Sequence, residues 1–239
     1  GPVEDLGLLK MDFLGLKTLT VIRNTCEMVK QWRGVEVDVD RVPSDDSKAY
    51  DLLNNGHTVG VFQLESAGMR DLCRKFKLGT IEHITALVAL YRPGPMDLIP
   101  DFIRRRHGEV EIKYPHPLLE PIANETYGIL IYQEQVMQIL NRLGKIPLAS
   151  AYTCIKAISK KKEKIIASNH DAYMTGAVEQ GLSKKDAQEM WDMILKFAGY
   201  GFNKSHSTAY AAIAWQTAYL KAHYLNQKTL LLSVQLQGF

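Results

Sequence analysis

The sequence predicts a mainly α chain: a helical body with a single strand at its front. Three observations predict it. Beyond residue 17, apolar residues recur at i, i+3, i+4 and i+7 in window after window. Gly, Pro and Asn stand where those windows begin and end. Diagnostic strand spacing occurs at the front, where Leu8, Lys10 and Asp12 share one face and Leu9, Met11 and Phe13 the other, until Gly15 breaks it. A lone strand needs sheet neighbours, so the chain is expected to be a piece of a longer polypeptide or to pair with one.

The elements follow in order. Thr18 to Trp32 carries Leu19, Ile22, Cys26 and Val29 at helical spacing and ends at Gly34. Residues 35–42 form a polar connector with alternating acids. Pro43-Ser44-Asp45-Asp46 starts a short helix, with side-chain oxygens suited to cap its free amides, and Asn54-Asn55-Gly56 stops it. Val59 to Leu64 is short and apolar and reads as extended. Ser66 to Phe76 reads as a helix bearing Arg70, Arg74 and Lys75. Ile81 to Leu90 is an apolar helix halted by Pro93-Gly94-Pro95. Pro100 to His107 is a short basic helix, and Tyr114-Pro115-His116-Pro117 is a rigid turn. Val136, Ile139, Leu140 and Leu143 define a helix that Gly144 closes, and Pro147 suits the start of the next. The lysine-rich segment 156–164 leads into another helix. Met190, Met193, Ile194 and Phe197 mark a further one, and residues 207–224 form a long helix rich in Ala and aromatics.

Composition bounds the function classes. The 239 residues are 46% hydrophobic and 23% charged, as in an ordinary globular protein able to bury a sizeable core. No apolar run approaches the ~18 residues of a membrane span. Cys26, Cys73 and Cys154 are far apart and form no C-x-x-C pair, which argues against structural zinc and for a reducing compartment. The net charge of +3 hides an asymmetry: residues 1–65 are net −4 and residues 66–239 net +7. A basic body of this kind suits a polyanion such as nucleic acid or nucleotide phosphates.

Five constellations carry candidate chemistry. Lys10 and Asp12 set an ammonium beside a carboxylate at a strand end, either a surface ion pair or a phosphate-binding Lys beside a metal-binding Asp. Arg104, Arg105 and Arg106 point in different directions on a helix, about 100° apart, so at least one can face a phosphate groove; a solvated surface is the alternative. Lys156 and Lys160 repel one another at i, i+4 unless an anion neutralises the Lys156–Lys164 cluster; a soluble lysine run is the competing reading. In Gly199-Tyr200-Gly201-Phe202-Asn203-Lys204-Ser205-His206-Ser207, glycines allow close approach, and Lys, His and hydroxyls gather at a helix start attractive to phosphate. The pattern is not a Walker A loop, and a helix cap with a bonded His is the competing reading. Tyr91-Arg92-Pro93-Gly94-Pro95-Met96 reads foremost as a brace for a loop, with contact to a backbone phosphate as the alternative, and Glu65, Glu125 and Glu134 show no metal-ligand spacing.

Taken in order, the segments KMDFLGLKTLT (10–20), VFQLESAGM (61–69), ALYRPGPM (89–96), YGILIYQEQVMQ (127–138), KFAGYGFNKSHSTAY (196–210) and QTAYLKAHY (216–224) resemble the bacterial replicative DNA polymerase III alpha subunit, the C family. The resemblance covers nearly the whole chain. It implies that residues 1–15 end the palm and residues 16–239 form the helical fingers, incomplete at the C-terminus, in a multi-domain α/β polymerase. It implies template-directed nucleotidyl transfer from a dNTP to a primer 3′-hydroxyl by a two-metal mechanism with two Mg²⁺ ions. Asp12 then matches the last catalytic, metal-holding aspartate. Lys10, Lys204 and His206 match residues at the incoming triphosphate, and Tyr200 lies beside the nucleotide pocket.

The family places Arg-Arg where this chain has Ile155-Lys156. Lys156 is carried over as a phosphate ligand without the bidentate fork, and Ile155 is not. After Tyr224 the chain also departs from the family's usual Pro and apolar helix. The implied partners are primer–template DNA, dNTP, the remainder of the polymerase chain and, through regions outside this one, the sliding clamp and other replisome subunits, in a bacterial cytoplasm near the nucleoid. One aspartate cannot hold two metals, so the chain alone is expected to be inactive. Two rival readings stay open: a non-catalytic nucleic-acid-binding helical module, and a structural helical protein whose basic patches serve solubility.

Overall fold

The computed structural model describes residues 6–8, 11, 15–197 and 200–224. Lys10 and Asp12, and with them most of the expected front strand, lie outside the described residues. Among the described residues the fold is helical, with a lone parallel bridge between Tyr132 and Phe202 and no longer strand. The helices are α1 (Lys17–Arg33), α2 (Ser47–Asn54), α3 (Ala67–Phe76), α4 (Ile81–Leu90), α5 (Ile99–Arg106), α6 (Glu120–Ala123), α7 (Gln133–Arg142), α8 (Leu148–Ser159), α9 (Glu163–Glu179), α10 (Lys184–Phe197) and α11 (Lys204–Tyr224).

Local chemistry sets many of these bounds. Asp46 Oδ1 accepts the Ala49 amide at 2.8 Å and opens α2, and Ser66 Oγ accepts the Met69 amide at 3.2 Å and opens α3. Gly34, at φ +67°, ends α1 by returning its amide to the Lys30 carbonyl at 3.0 Å. Two details differ from the sequence reading. In α1 the buried face is Ile22, Thr25 and Val29, while Leu19 is exposed; Thr25 can be buried because its hydroxyl is satisfied within the helix by the Val21 carbonyl at 2.8 Å. In α10, Met193 faces solvent, while Met190, Ile194 and Phe197 face the core.

The expected extended segment Val59–Leu64 is instead a chain of turns. The Val61 amide returns to Thr58 at 2.9 Å and the Leu64 amide to Val61 at 3.1 Å. Its apolar residues Val61 and Leu64 are fully buried, as their type suggests. The segment needs no strand partner because α11 satisfies its polar groups. Lys221 Nζ donates to the His57 and Val59 carbonyls at 2.7 and 2.6 Å, and Thr217 Oγ1 accepts the Phe62 amide at 3.1 Å.

Two apolar cores result. The first joins α2, α3 and α4 to one face of α11, whose Ala211, Ala214 and Ala218 let it lie close on α4. Trp215 fills the gap to α2, its ring 4.5 Å from Tyr50 and its indole N–H on the Pro43 carbonyl at 3.0 Å. The second core is built by α7, α8, α9 and α10 around Leu140, Ile155, Tyr173 and Trp191. Its tightest approach is backbone on backbone: a Cβ on Gly176 would lie 2.3 Å from the Gly144 carbonyl oxygen, so only glycine fits there. Residues 129–132 connect the cores, with Ile131 and Tyr132 in the first and Leu130 in the second.

His83 ties the first core to the turn at Tyr127. The Gly79 amide donates to its Nδ1 at 3.1 Å, which puts the ring proton on Nε2, 2.9 Å from the Tyr127 hydroxyl. Burial, with the Arg106 charge adding to it, pushes the imidazolium pKa down from 6.5 to about 4. Below the ordinary value the unfolded chain takes up this proton and the folded one does not. Stability conferred by the neutral ring is therefore whole above 6.5 and falls as pH drops toward about 4. Urea unfolding is expected to weaken across that window by on the order of 1 kcal/mol per pH unit. His83→Gln is expected to flatten the dependence; an equally steep profile in that variant would rule the assignment out.

Candidate functional site

The segment 200–207 is held against residues 131–133. The Phe202 amide donates to the Ile131 carbonyl at 3.1 Å, the Gln133 amide to the Phe202 carbonyl at 2.8 Å, and Gln133 Nε2 to the Gly201 carbonyl at 3.1 Å. Gly201 has no room for a side chain, since a Cβ would sit 2.7 Å from the Phe197 ring. From the other side the Arg92 guanidinium donates to the Tyr200 carbonyl and lies 4.5 Å from the Phe202 ring centroid, while its Nε holds the Ala89 carbonyl at 2.8 Å. The Tyr91–Pro95 turn thus braces the Gly-Phe-Asn-Lys segment, the role read for it in the sequence.

The start of α11 is occupied by protein groups. Asn203 Oδ1 accepts the His206 amide at 2.8 Å, and Glu134 Oε2 accepts the Lys204 amide at 3.0 Å while its other oxygen takes Asn203 Nδ2 at 3.0 Å. A carboxylate already complements this helix end. At this helix start, read from the sequence as attractive to phosphate, the Lys204 and His206 amides are taken by protein groups. Any anion there is left to side chains. His206 is exposed, its ring tilted against Tyr210 and Phe202 with centroids 4.3 and 5.6 Å away.

The Lys204 ammonium lies 2.7 Å from both oxygens of Glu125 and 5.5 Å from the Tyr132 ring centroid. It borders a cleft of about 200 Å³ lined also by Glu82, Thr85, Thr126 and Thr208. Nearby charge shows in the titrating groups. Its own amide, the Thr80 hydroxyl and the Lys204 charge hold the Glu82 carboxyl below its usual range, against burial. Burial, aided by Glu125, Glu134 and Glu82, pushes the Tyr132 phenol far up. Tyr200 is half-buried against Phe197 at 5.3 Å, and burial raises its phenol too.

Tyr200, Lys204 and His206 are thus gathered on one braced segment. Lys156 is not among the residues lining that cleft. It is exposed on α8 with its ammonium 4.3 Å from the Tyr152 ring centroid. Its neighbour Ile155 is 3% exposed, a core residue, which explains an apolar side chain there. The three arginines of α5 diverge as helical spacing requires. Arg104 is exposed, 3.9 Å from Glu109; Arg105 binds Asp101 at 2.8 Å and the Tyr127 carbonyl at 3.2 Å; Arg106 lies 5.9 Å from the Phe76 ring centroid. Lys10 and Asp12 lie outside the described residues. No group of three or more His, Cys, Asp or Glu able to hold a metal exists among the described residues. Glu125 and Glu134, unremarkable by spacing, turn out to be the partners of the Lys204 side chain and backbone, 79 and 70 residues away.

Comparison with known proteins agrees with this organisation. Residues 18–181 match the family described as bacterial DNA polymerase III alpha subunit finger domain. The chain is 49% identical over 222 residues to a DNA polymerase III subunit alpha of Halalkalibacterium halodurans, covering 93% of this chain and 20% of that protein. It is 49% identical over 224 residues to that of Aquifex aeolicus, covering 93% and 19%, and 49% identical over 229 residues to that of Thermus aquaticus, covering 94% and 19%. It spans about a fifth of the length of these curated relatives. The chain therefore belongs to the bacterial DNA polymerase III alpha subunit family, with residues 18–181 in its finger domain.

Proposed function

We propose that residues 16–239 serve as the fingers, and residues 1–15 as the last palm strand, of a bacterial DNA-directed DNA polymerase that transfers nucleotides from dNTP to a primer 3′-hydroxyl on a template. One observation supports this above others: Lys204 lines a cleft, its ammonium on Glu125, from a segment braced on two sides. Lys204, with His206 and Lys156, binds the triphosphate oxygens and offsets charge as pyrophosphate departs. Tyr200 shapes the nucleotide pocket beside them. Template pairing selects the base, so these residues need charge and shape rather than base contacts.

In this reading Asp12 is the catalytic carboxylate and Lys10 a triphosphate contact. The two ions are assigned, in the same reading, to Asp12 and to palm carboxylates elsewhere in the polymerase. The reaction takes place in the cytoplasm. The test is steady-state primer extension by the full-length polymerase carrying Lys204→Ala: a raised nucleotide KM or a lowered kcat supports the assignment, and unchanged kinetics overturns it. The chain by itself is expected to extend no primer, and measurable incorporation would contradict the placement of the remaining carboxylates.

Arg104 is the exposed member of its trio and is assigned to the DNA backbone. Arg104→Ala in the full-length polymerase is expected to lower the slope of log affinity against log salt by about 1. The same change at Arg105, already held by Asp101 and the Tyr127 carbonyl, is expected to affect stability more than that slope. A salt slope indifferent to Arg104 would remove the DNA assignment.

A further inference from the structure

Lys204 is held twice, and the two carboxylates do different work. Glu134 binds its backbone amide and so fixes the start of α11. Glu125 binds only its ammonium, with both oxygens at 2.7 Å. Glu125 sits on the tight turn Asn124–Thr126, anchored by the buried Thr126 hydroxyl, which donates to the Ile129 carbonyl at 2.6 Å and accepts from Gln135 Nε2 at 2.7 Å. The carboxylate is therefore on a fixed mount, while the ammonium rides on a flexible four-carbon stem. The pair is about one-third exposed, so it can change partners without entering a dry interior. The cleft that the pair lines holds Glu82 as well. An anion gains nothing by entering between two carboxylates; it must draw the ammonium outward.

We propose that Glu125 is the counter-ion which Lys204 leaves when it takes the phosphates of the incoming nucleotide, and to which it returns as pyrophosphate departs. The proposal rests on the triphosphate role of Lys204 given above. Glu125 is then a positioning residue: it parks the ammonium where phosphate can reach it. By competing with phosphate it lowers the affinity for nucleotide and pyrophosphate alike. Product leaves more readily because the ammonium has another anion to rejoin.

The test is primer extension by full-length polymerase carrying Glu125→Gln, Glu125→Asp, Lys204→Ala, or Glu125→Gln with Lys204→Ala. Glutamine keeps the size and an acceptor oxygen but removes the charge. Nucleotide KM and the inhibition constant of pyrophosphate are both expected to fall about fivefold in Glu125→Gln, the scale of a partly exposed ion pair. Glu125→Asp, which keeps the charge, is expected to restore values near the parent. In the Lys204→Ala background, Glu125→Gln is expected to change neither constant. Constants in Glu125→Gln that are unchanged or raised overturn the proposal, as does an equal fall in the absence of Lys204. If Lys204→Ala alone leaves nucleotide KM unmoved, the phosphate assignment of Lys204 fails first, and that result is distinct from failure of the exchange.

Discussion

Full-length polymerase carrying Lys204→Ala is expected to lose about 10- to 100-fold in kcat/KM for nucleotide, the weight of one charge-assisted hydrogen bond to a triphosphate. The backbone role of this residue survives the change, because the amide that Glu134 accepts at 3.0 Å belongs to the main chain. The start of α11 also keeps its Asn203 cap on the His206 amide. A loss of activity is therefore a loss of the ammonium rather than of the segment. Lys204→Arg makes a sharper comparison. Guanidinium keeps the charge but offers Glu125 a fork that matches both of its oxygens, so it stays bound to the carboxylate more firmly than an ammonium does. The arginine variant is expected to fall between alanine and the parent, with its deficit in KM. Parent-like kinetics in both variants would mean that this side chain never meets the nucleotide.

How far the residues announced this arrangement varies from element to element, for physical reasons. The helices were legible because their signals are local: Asp46, Ser66 and Thr80 lie three residues before the amides they cap. The turns at Val59–Leu64 were not, because the groups that satisfy them, Thr217 and Lys221, arrive from α11 more than 150 residues later. The same divide runs through the site. Lys204, His206 and Tyr200 stand in one recognisable segment, and helical spacing told that Arg104, Arg105 and Arg106 diverge. Which of them would be exposed depended on Asp101 from the preceding turn and Tyr127 from another loop. Glu125 and Glu134 carry no local mark at all, since a carboxylate acquires its role from the cation or amide that the fold brings to it.

Gln135→Leu is expected to be the most damaging single change to the frame beneath the site. Gln135 is 2% exposed and uses its full hydrogen-bonding capacity. Its Oε1 accepts the Ile131 and Tyr132 amides at 2.8 and 2.9 Å, and its Nε2 donates to the Ile122 carbonyl at 3.2 Å and Thr126 Oγ1 at 2.7 Å. Leucine is similar in size and apolar, so it deprives the Ile131 and Tyr132 amides and the Ile122 carbonyl of this partner, at about 1–3 kcal/mol for each orphaned group, while the Thr126 hydroxyl keeps its bond to the Ile129 carbonyl. With part of that relieved by relaxation, the local opening free energy is expected to drop by about 4 kcal/mol, which is roughly a thousandfold faster amide exchange. The measurement is hydrogen exchange of residues 129–135 in the full-length polymerase, which avoids a single melting temperature for a multidomain protein. The effect reaches the site because the Ile131 carbonyl and the Gln133 amide are the two groups that pin Phe202. Loosening that segment also loosens the mount of Glu125, through Thr126, and the loop that carries Lys204. The exchange of the Phe202 amide is expected to accelerate with that of Ile131 and Tyr132. Retained protection at 131 and 132 in the leucine variant would show that other contacts, and not this glutamine, hold the frame.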